Sequence, residues 1–324
     1  MAALLQSAYQ TVITHCPALW RWAYDWLGRR PLGSQLGTLT GVLQSRLRQL
    51  LAEHQPRALV STYPFYSTLL APLRNPGSAP PLFTVVTDSV SVHPSWTADP
   101  SDYYLVADQE SAGVLQQRHI DSERVFVTGF PVHPAFAEPL PETLPQGRSG
   151  ILYLPSTPAR HVAATLEALR PLVLGGTHLT VAAGKHRARL HHILTRFTDS
   201  MPPDGICLLG WTSQMPHLLR SHELVICKAG GAILHEALAA RTPAVIDYVV
   251  PGQEEGNAEM LLKHQCALRS HCPRETAAAA SQMLAAHARV AGEMRALMIP
   301  PLCLPDAALA AAELIDRKLA IPPS

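Results

Sequence analysis

The sequence predicts an α/β protein of two lobes on three observations. Short runs are apolar at nearly every position, stretches of helical period separate them, and one proline- and glycine-rich segment lies near the middle of the 324 residues. Apolar, β-branched runs bounded by turn residues recur at 58–62, 82–87, 103–107, 125–128, 151–154, 179–183, 206–209, 224–227 and 244–247. Near-continuous apolar strands alternating with helices belong to parallel sheets covered on both faces. Apolar spacing of three and four predicts helices at 37–52, 109–118, 160–174, 186–197, 215–221, 232–240 and 257–264, with an alanine-rich pair at 276–297 and 307–319. Residues 139–150, PLPETLPQGRSG, hold three prolines and two glycines without periodicity. They are expected to separate a first lobe (1–138) from a second (150–300), with 139–149 as linker and 301–324 as a C-terminal helix.

Composition narrows the function classes. With 26 Lys+Arg against 25 Asp+Glu the formal charge is +1, which gives no general drive toward nucleic acid, so an anionic ligand must be held by local donors. No apolar run approaches the ~20 residues of a membrane-spanning helix. The 29 prolines are scattered between apolar segments, which argues against a disordered or collagen-like chain. Cys16, Cys207, Cys227, Cys266, Cys272 and Cys303 form no CxxC pair and read as thiols of a reducing compartment. The first residues lack a basic region followed by a long apolar core, so a cytoplasmic location is expected.

Ligands of open parallel sheets bind beyond the carboxyl ends of strands, so chemistry is sought in the loops that follow them. The run 224–227 is followed by Lys228-Ala229-Gly230-Gly231, opening a helix that carries Glu236. A glycine turn from strand into helix presents backbone N–H groups and the positive end of the dipole to a phosphate. Glu236 lies about a turn and a half further in, where a carboxylate could accept bonds from ribose hydroxyls, or could equally be a solvated helix residue. The next run is followed by Pro251-Gly252-Gln253-Glu254-Glu255-Gly256-Asn257. These groups suit several hydroxyls at once, or an N-capped helix with acidic first-turn residues.

The stretch 210–261, GWTSQMPHLLRSHELVICKAGGAILHEALAARTPAVIDYVVPGQEEGNAEML, resembles the donor-binding segment of the monogalactosyldiacylglycerol synthase and processive diacylglycerol glucosyltransferase family. Its relatives include the enzyme that adds GlcNAc to lipid II precursors. In the first lobe Ser61-Thr62-Tyr63-Pro64 resembles the family's S-T-H-P turn. Thr84-Val85-Val86-Thr87-Asp88 with His93-Pro94-Ser95-Trp96 resembles its TVVTD and HPxW stretches, and Gly129-Phe130-Pro131-Val132 its closing turn. The resemblance runs in order from about residue 58 to 268. It implies two Rossmann-like lobes of the GT-B type, a nucleotide-sugar in the second and a lipid acceptor in the first.

Carried over by position, the resemblance places Lys228, Gly230 and Gly231 at the diphosphate and Glu236 at the ribose. Gln253, Glu254 and Asn257 fall near the hexose, and Gly210 and Trp211 beside the uracil. Asp88 and His93 are the implied catalytic groups, with His93 and Trp96 in the loop facing the acceptor. No Asp-x-Asp occurs, so neither a metal nor another cofactor is expected, and the helix N-terminus with Lys228 would stabilise the leaving diphosphate. The start, Trp20-Arg21-Trp22-Ala23-Tyr24-Asp25-Trp26 with Arg29 and Arg30, sets Trp22 and Trp26 on one helical face, as a membrane-interface contact or as core. Relatives begin with a strand and a Gly-x-Gly-His turn that this sequence lacks, so the amino-terminal lobe is expected to be truncated.

The expected activity is inverting, metal-free transfer of a hexose from UDP-glucose or UDP-galactose to diacylglycerol or a related lipid. The protein would work on the inner face of a membrane, without nucleic acid. Two alternatives stay open: a UDP-sugar-binding homologue without transfer, and a fragment with a mis-assigned start.

Overall fold

The structure, a computed structural model, describes residues 37–74, 79–90, 92–138, 150–250, 254–297 and 305–320. After α1 (Gly37–His54), a four-stranded parallel sheet follows in the order β1 (Leu59–Ser61), β2 (Leu82–Val85), β3 (Tyr103–Val106), β4 (Val125–Val127). The connections hold α2 (Tyr66–Leu70) and α3 (Gln109–Gln117); α3 starts where Asp108 accepts from the Ser111 N–H at 2.7 Å, an N-cap. The pleat explains why these strands are apolar throughout. Tyr104 and Val106 join Val86, Trp96 and Leu115 in one core, while Leu105 joins Phe83 and Val85 in another.

The second sheet is built from β5 (Ile151–Tyr153), α4 (Ala159–Leu174), β6 (Leu179–Ala182), α5 (Arg187–Thr198), β7 (Ile206–Leu209), α6 (Met215–Ser221), β8 (Leu224–Lys228), α7 (Gly231–Ala240), β9 (Ala244–Tyr248), α8 (Glu255–Lys263), β10 (Ala267–Arg269) and α9 (Pro273–Leu297). All six strands are parallel, in the order β10-β9-β8-β5-β6-β7. Counted from β5, this is the 3-2-1-4-5-6 order of doubly wound nucleotide-binding sheets, with the direction of winding reversing between β5 and β8. A crevice opens at the carboxyl edge of such a reversal, and it is here that the site is built.

Two compact units form, one within Ala18–Pro131 plus Asp306–Ser324 and the other within Val132–Pro305. This differs from the expected division at two places. The second unit begins at Val132, because the Arg220 guanidinium of α6 donates to the Phe136 and Glu138 carbonyls and lies 5.7 Å over the Phe136 ring. The expected C-terminal helix, α10 (Ala307–Ala320), belongs to the first unit: Ala311 and Leu314 complete the Phe83–Leu105 core, and the Lys318 ammonium sits 4.7 Å over the Phe126 ring. The expected linker, residues 139–149, lies outside the described residues. Among the described residues no helix is long and apolar enough to cross a membrane.

Candidate functional site

At the carboxyl edge of the second sheet, β8 runs into a tight turn. The Ala229 N–H donates to the Tyr248 carbonyl (2.9 Å) and the Gly230 N–H to the Lys228 carbonyl (2.8 Å). Gly230 then caps α7 with extended backbone and no side-chain bond, which leaves first-turn N–H groups of α7 unclaimed by a cap. A Cβ on Gly230 would stand 3.2 Å from the Lys228 Nζ, so glycine keeps this approach open.

The neighbouring polar side chains brace the turn. Lys228 forms an ion pair with Glu254, whose second oxygen accepts from the Val250 N–H at 3.2 Å. The Asn257 amide donates to the Ala229 carbonyl at 3.3 Å. Glu254 and Asn257, placed by resemblance at the hexose, are both buried and hold Lys228 and its turn in position. On α7, burial pushes the Glu236 carboxyl above the usual carboxylate range. Its neighbour His235 is fully buried, bonds the Gly231 carbonyl through Nδ1 (2.8 Å), and is pulled down to about 4 by that burial, so it is neutral at pH 7.

Gly210 and Trp211 follow β7, separated from β8 by β5 and β6, or three strand spacings of ~4.8 Å, roughly 14 Å. Trp211 is 71% exposed, and Gly210 leaves room for Arg187, whose Nη1 would lie 3.3 Å from a Cβ there. Gln253, Trp22 and Trp26 lie outside the described residues.

In the first unit the structure brings Asp88, His93 and Trp96 together. Asp88 Oδ2 accepts from the Trp96 indole at 2.7 Å and from the His93 N–H at 3.3 Å. Burial outweighs these bonds and the nearby Arg118 charge and raises the Asp88 carboxyl. His93 caps the 3-10 turn Pro94–Thr97, its Nδ1 accepting from the Ser95 N–H at 3.2 Å. Trp96 requires a correction. Expected as an acceptor or membrane contact, it is 2% exposed and packs in the Tyr104–Leu115 core, because its ring joins Ala112 and Leu115 of α3 against the sheet face that carries Tyr104 and Val106.

Sequence reasoning missed a polar cluster beside β8: Tyr153, Thr157, His161, Thr165 and Asp247. One signal was available, since Asp247 interrupts the apolar run Ala-Val-Ile-Asp-Tyr of a strand expected to be buried. Among the described residues no group of three or more His, Cys, Asp or Glu is placed to hold a metal ion.

The family model described as Monogalactosyldiacylglycerol (MGDG) synthase matches residues 2–132. Over 233 residues, 69% of this chain and 59% of the relative, the sequence is 29% identical to a processive diacylglycerol beta-glucosyltransferase of Bacillus pumilus. The sequence is thus similar to the monogalactosyldiacylglycerol synthases over residues 2–132 and to this glucosyltransferase over about two thirds of its length. To monogalactosyldiacylglycerol synthase 1 of Arabidopsis thaliana it is 24% identical over 84% of its own length and 54% of that protein's. It thus spans little more than half the length of these synthases and glucosyltransferases. Among solved structures it is similar to S. aureus MnaA in co-structure with UDP, with a TM-score of 0.64 and 13% identity over 88% of this chain and 81% of that one. That likeness is one of fold: α/β with parallel sheets, of the GT-B type.

Proposed function

We propose that this chain transfers a hexose from UDP-glucose or UDP-galactose to diacylglycerol or a closely related lipid at the inner surface of a membrane. The observation that carries the reading is the uncapped N-terminus of α7, with Lys228 alongside, at the reversal point of a doubly wound sheet. Backbone N–H groups and an ammonium there stabilise charge that develops on a leaving diphosphate, without calling on a metal. In this reading the diphosphate competes with Glu254 for Lys228, and the Glu236 carboxylate takes the ribose hydroxyls. Asp88, whose carboxyl is raised by burial, takes the proton of the acceptor hydroxyl as its oxygen bonds to the anomeric carbon from the face opposite the departing UDP, and this single displacement inverts the sugar. An apolar cavity of about 360 Å³ in the first unit, lined by Leu47, Leu51, Leu59, Val60, Tyr66 and Leu70, suits an acyl chain.

The test is incubation of the purified chain with either UDP-sugar and diacylglycerol vesicles, followed by analysis for glycolipid. Glycolipid formation is expected. Measurable UDP binding without product would overturn the transferase reading and leave a UDP-sugar binder.

A further inference from the structure

On one face of the second sheet, beside the end of β8, polar atoms are buried without partners. The Asp247 side chain at the end of β9 is 1% exposed, and neither of its carboxylate oxygens has a hydrogen bond. The Tyr153 hydroxyl interacts with Asp247, Thr157 and Thr165, yet it and both threonine hydroxyls also lack a well-formed bond. His161 Nε2 is buried and lies 3.7 Å from Asp247 Oδ2. A buried carboxylate left in this condition is costly and is retained where another charge completes it.

Topology explains the meeting. β5 and β9 flank β8; Tyr153 pairs with Ile226, and Ile226 with Val245, so Tyr153 and Val245 share a face, and Asp247, at the register shift opposite Cys227 and Lys228, interacts with Tyr153. His161 stands in the first turn of α4, which follows β5, with Thr165 one turn further along the same helix face. Side chains on a helix lean toward its N-terminus, which carries the imidazole to the carboxyl edge of the sheet. Nε2 is buried while the side chain as a whole is 22% exposed, so the accessible edge of the ring is a different one.

We propose that His161 is an anion-binding side chain of the donor site, held through Nε2 by Asp247 as positioning residue and offering Nδ1–H to the nucleotide's diphosphate. The proposal rests on the UDP-sugar reading and adds a second cation to the one Lys228 supplies. A protonated histidine in a first helical turn is opposed by the helix dipole, and Asp247 offsets that.

The experiment is calorimetric titration of the full chain with UDP-glucose and UDP-galactose and, for comparison, with uridine, which carries no phosphate. His161→Gln should weaken both sugar nucleotides roughly fivefold to tenfold and leave uridine unchanged, and His161→Arg should keep the wild-type affinity. Asp247→Asn should weaken the sugar nucleotides in part; if it fails to fold, the two His161 variants still decide. A His161→Gln protein that binds the sugar nucleotides as the wild type does, or that loses uridine in the same proportion, would overturn the proposal and leave the UDP-sugar reading standing. A wild type that binds neither sugar nucleotide would overturn both.

Discussion

Both sheets end in polar side chains at their carboxyl edges, and the two edges differ in how many of those side chains are engaged. In the first unit Asp88 is engaged by Trp96 and His93, His93 caps its own turn, and Arg118 donates to the Val92 and His93 carbonyls. Those groups are engaged within the loop, while Asp108 Oδ2 after β3 and Thr128 Oγ1 after β4 are buried without a partner. In the second unit the start of α7 has no cap, and Asp247, Tyr153, Thr157, Thr165 and His161 keep unmet atoms. Buried polar atoms without partners are costly, and in the second unit they cluster around one carboxylate, that of Asp247. Under the function proposed above, the anionic donor sits at the second edge and the proton acceptor at the first.

The comparison can be broken most forcefully at Trp96. Trp96→Ala removes a buried indole together with a donor to Asp88 and should cost about 4 kcal/mol in denaturant unfolding. Trp96→Phe keeps most of the packing and should cost about 1–2 kcal/mol.

Next in size is a pH effect in the second unit. His235 is lowered in the folded state to about 4, so above its unfolded value near ~6.5 both states are neutral and stability is fully present. As pH falls toward about 4 the unfolded chain takes up the proton first, and on the order of 3 kcal/mol should be lost. Urea midpoints across this range should show the loss, and His235→Gln should flatten it.

Lys228→Met leaves Glu254 buried without its counter-ion. That should cost about 2–3 kcal/mol and lower the thermal midpoint by roughly 5–9 °C, with much of the loss recovered in Lys228→Met/Glu254→Leu.

The smallest stability effect is expected at Glu236. Because burial raises its carboxyl, its favourable contribution is present below the unfolded value near ~4.5 and is lost as pH rises through the higher folded value. Glu236→Gln should therefore unfold slightly later than the wild type at neutral pH and no later in acid. Glu236→Ala should weaken UDP binding; unchanged affinity would refute the ribose assignment.

Much of this was legible in the sequence. Each of the nine expected strands is present, since parallel strands buried on both faces stand out as apolar runs. β10 was missed because an edge strand of three residues ending in exposed Arg269 leaves no such run. α2, at five residues, is too short for a helical period to show. Trp96 was misread because an aromatic in a loop looks the same whether it faces water or a core. The meeting of His161 with Asp247 was out of reach, the two being 86 positions apart and brought together only because β5 and β9 flank β8. The return of α10 to the first sheet likewise depends on tertiary packing, which no local pattern reports.

Calorimetric titration of UDP into the wild type, Gly230→Val and Asp88→Asn bears most directly on the difference between the two edges. The account predicts that the wild type and Asp88→Asn bind alike, while Gly230→Val, whose side chain crowds Lys228 and the start of α7, loses roughly tenfold or more. Binding that survives Gly230→Val, or that disappears with Asp88→Asn in a folded protein, would contradict it.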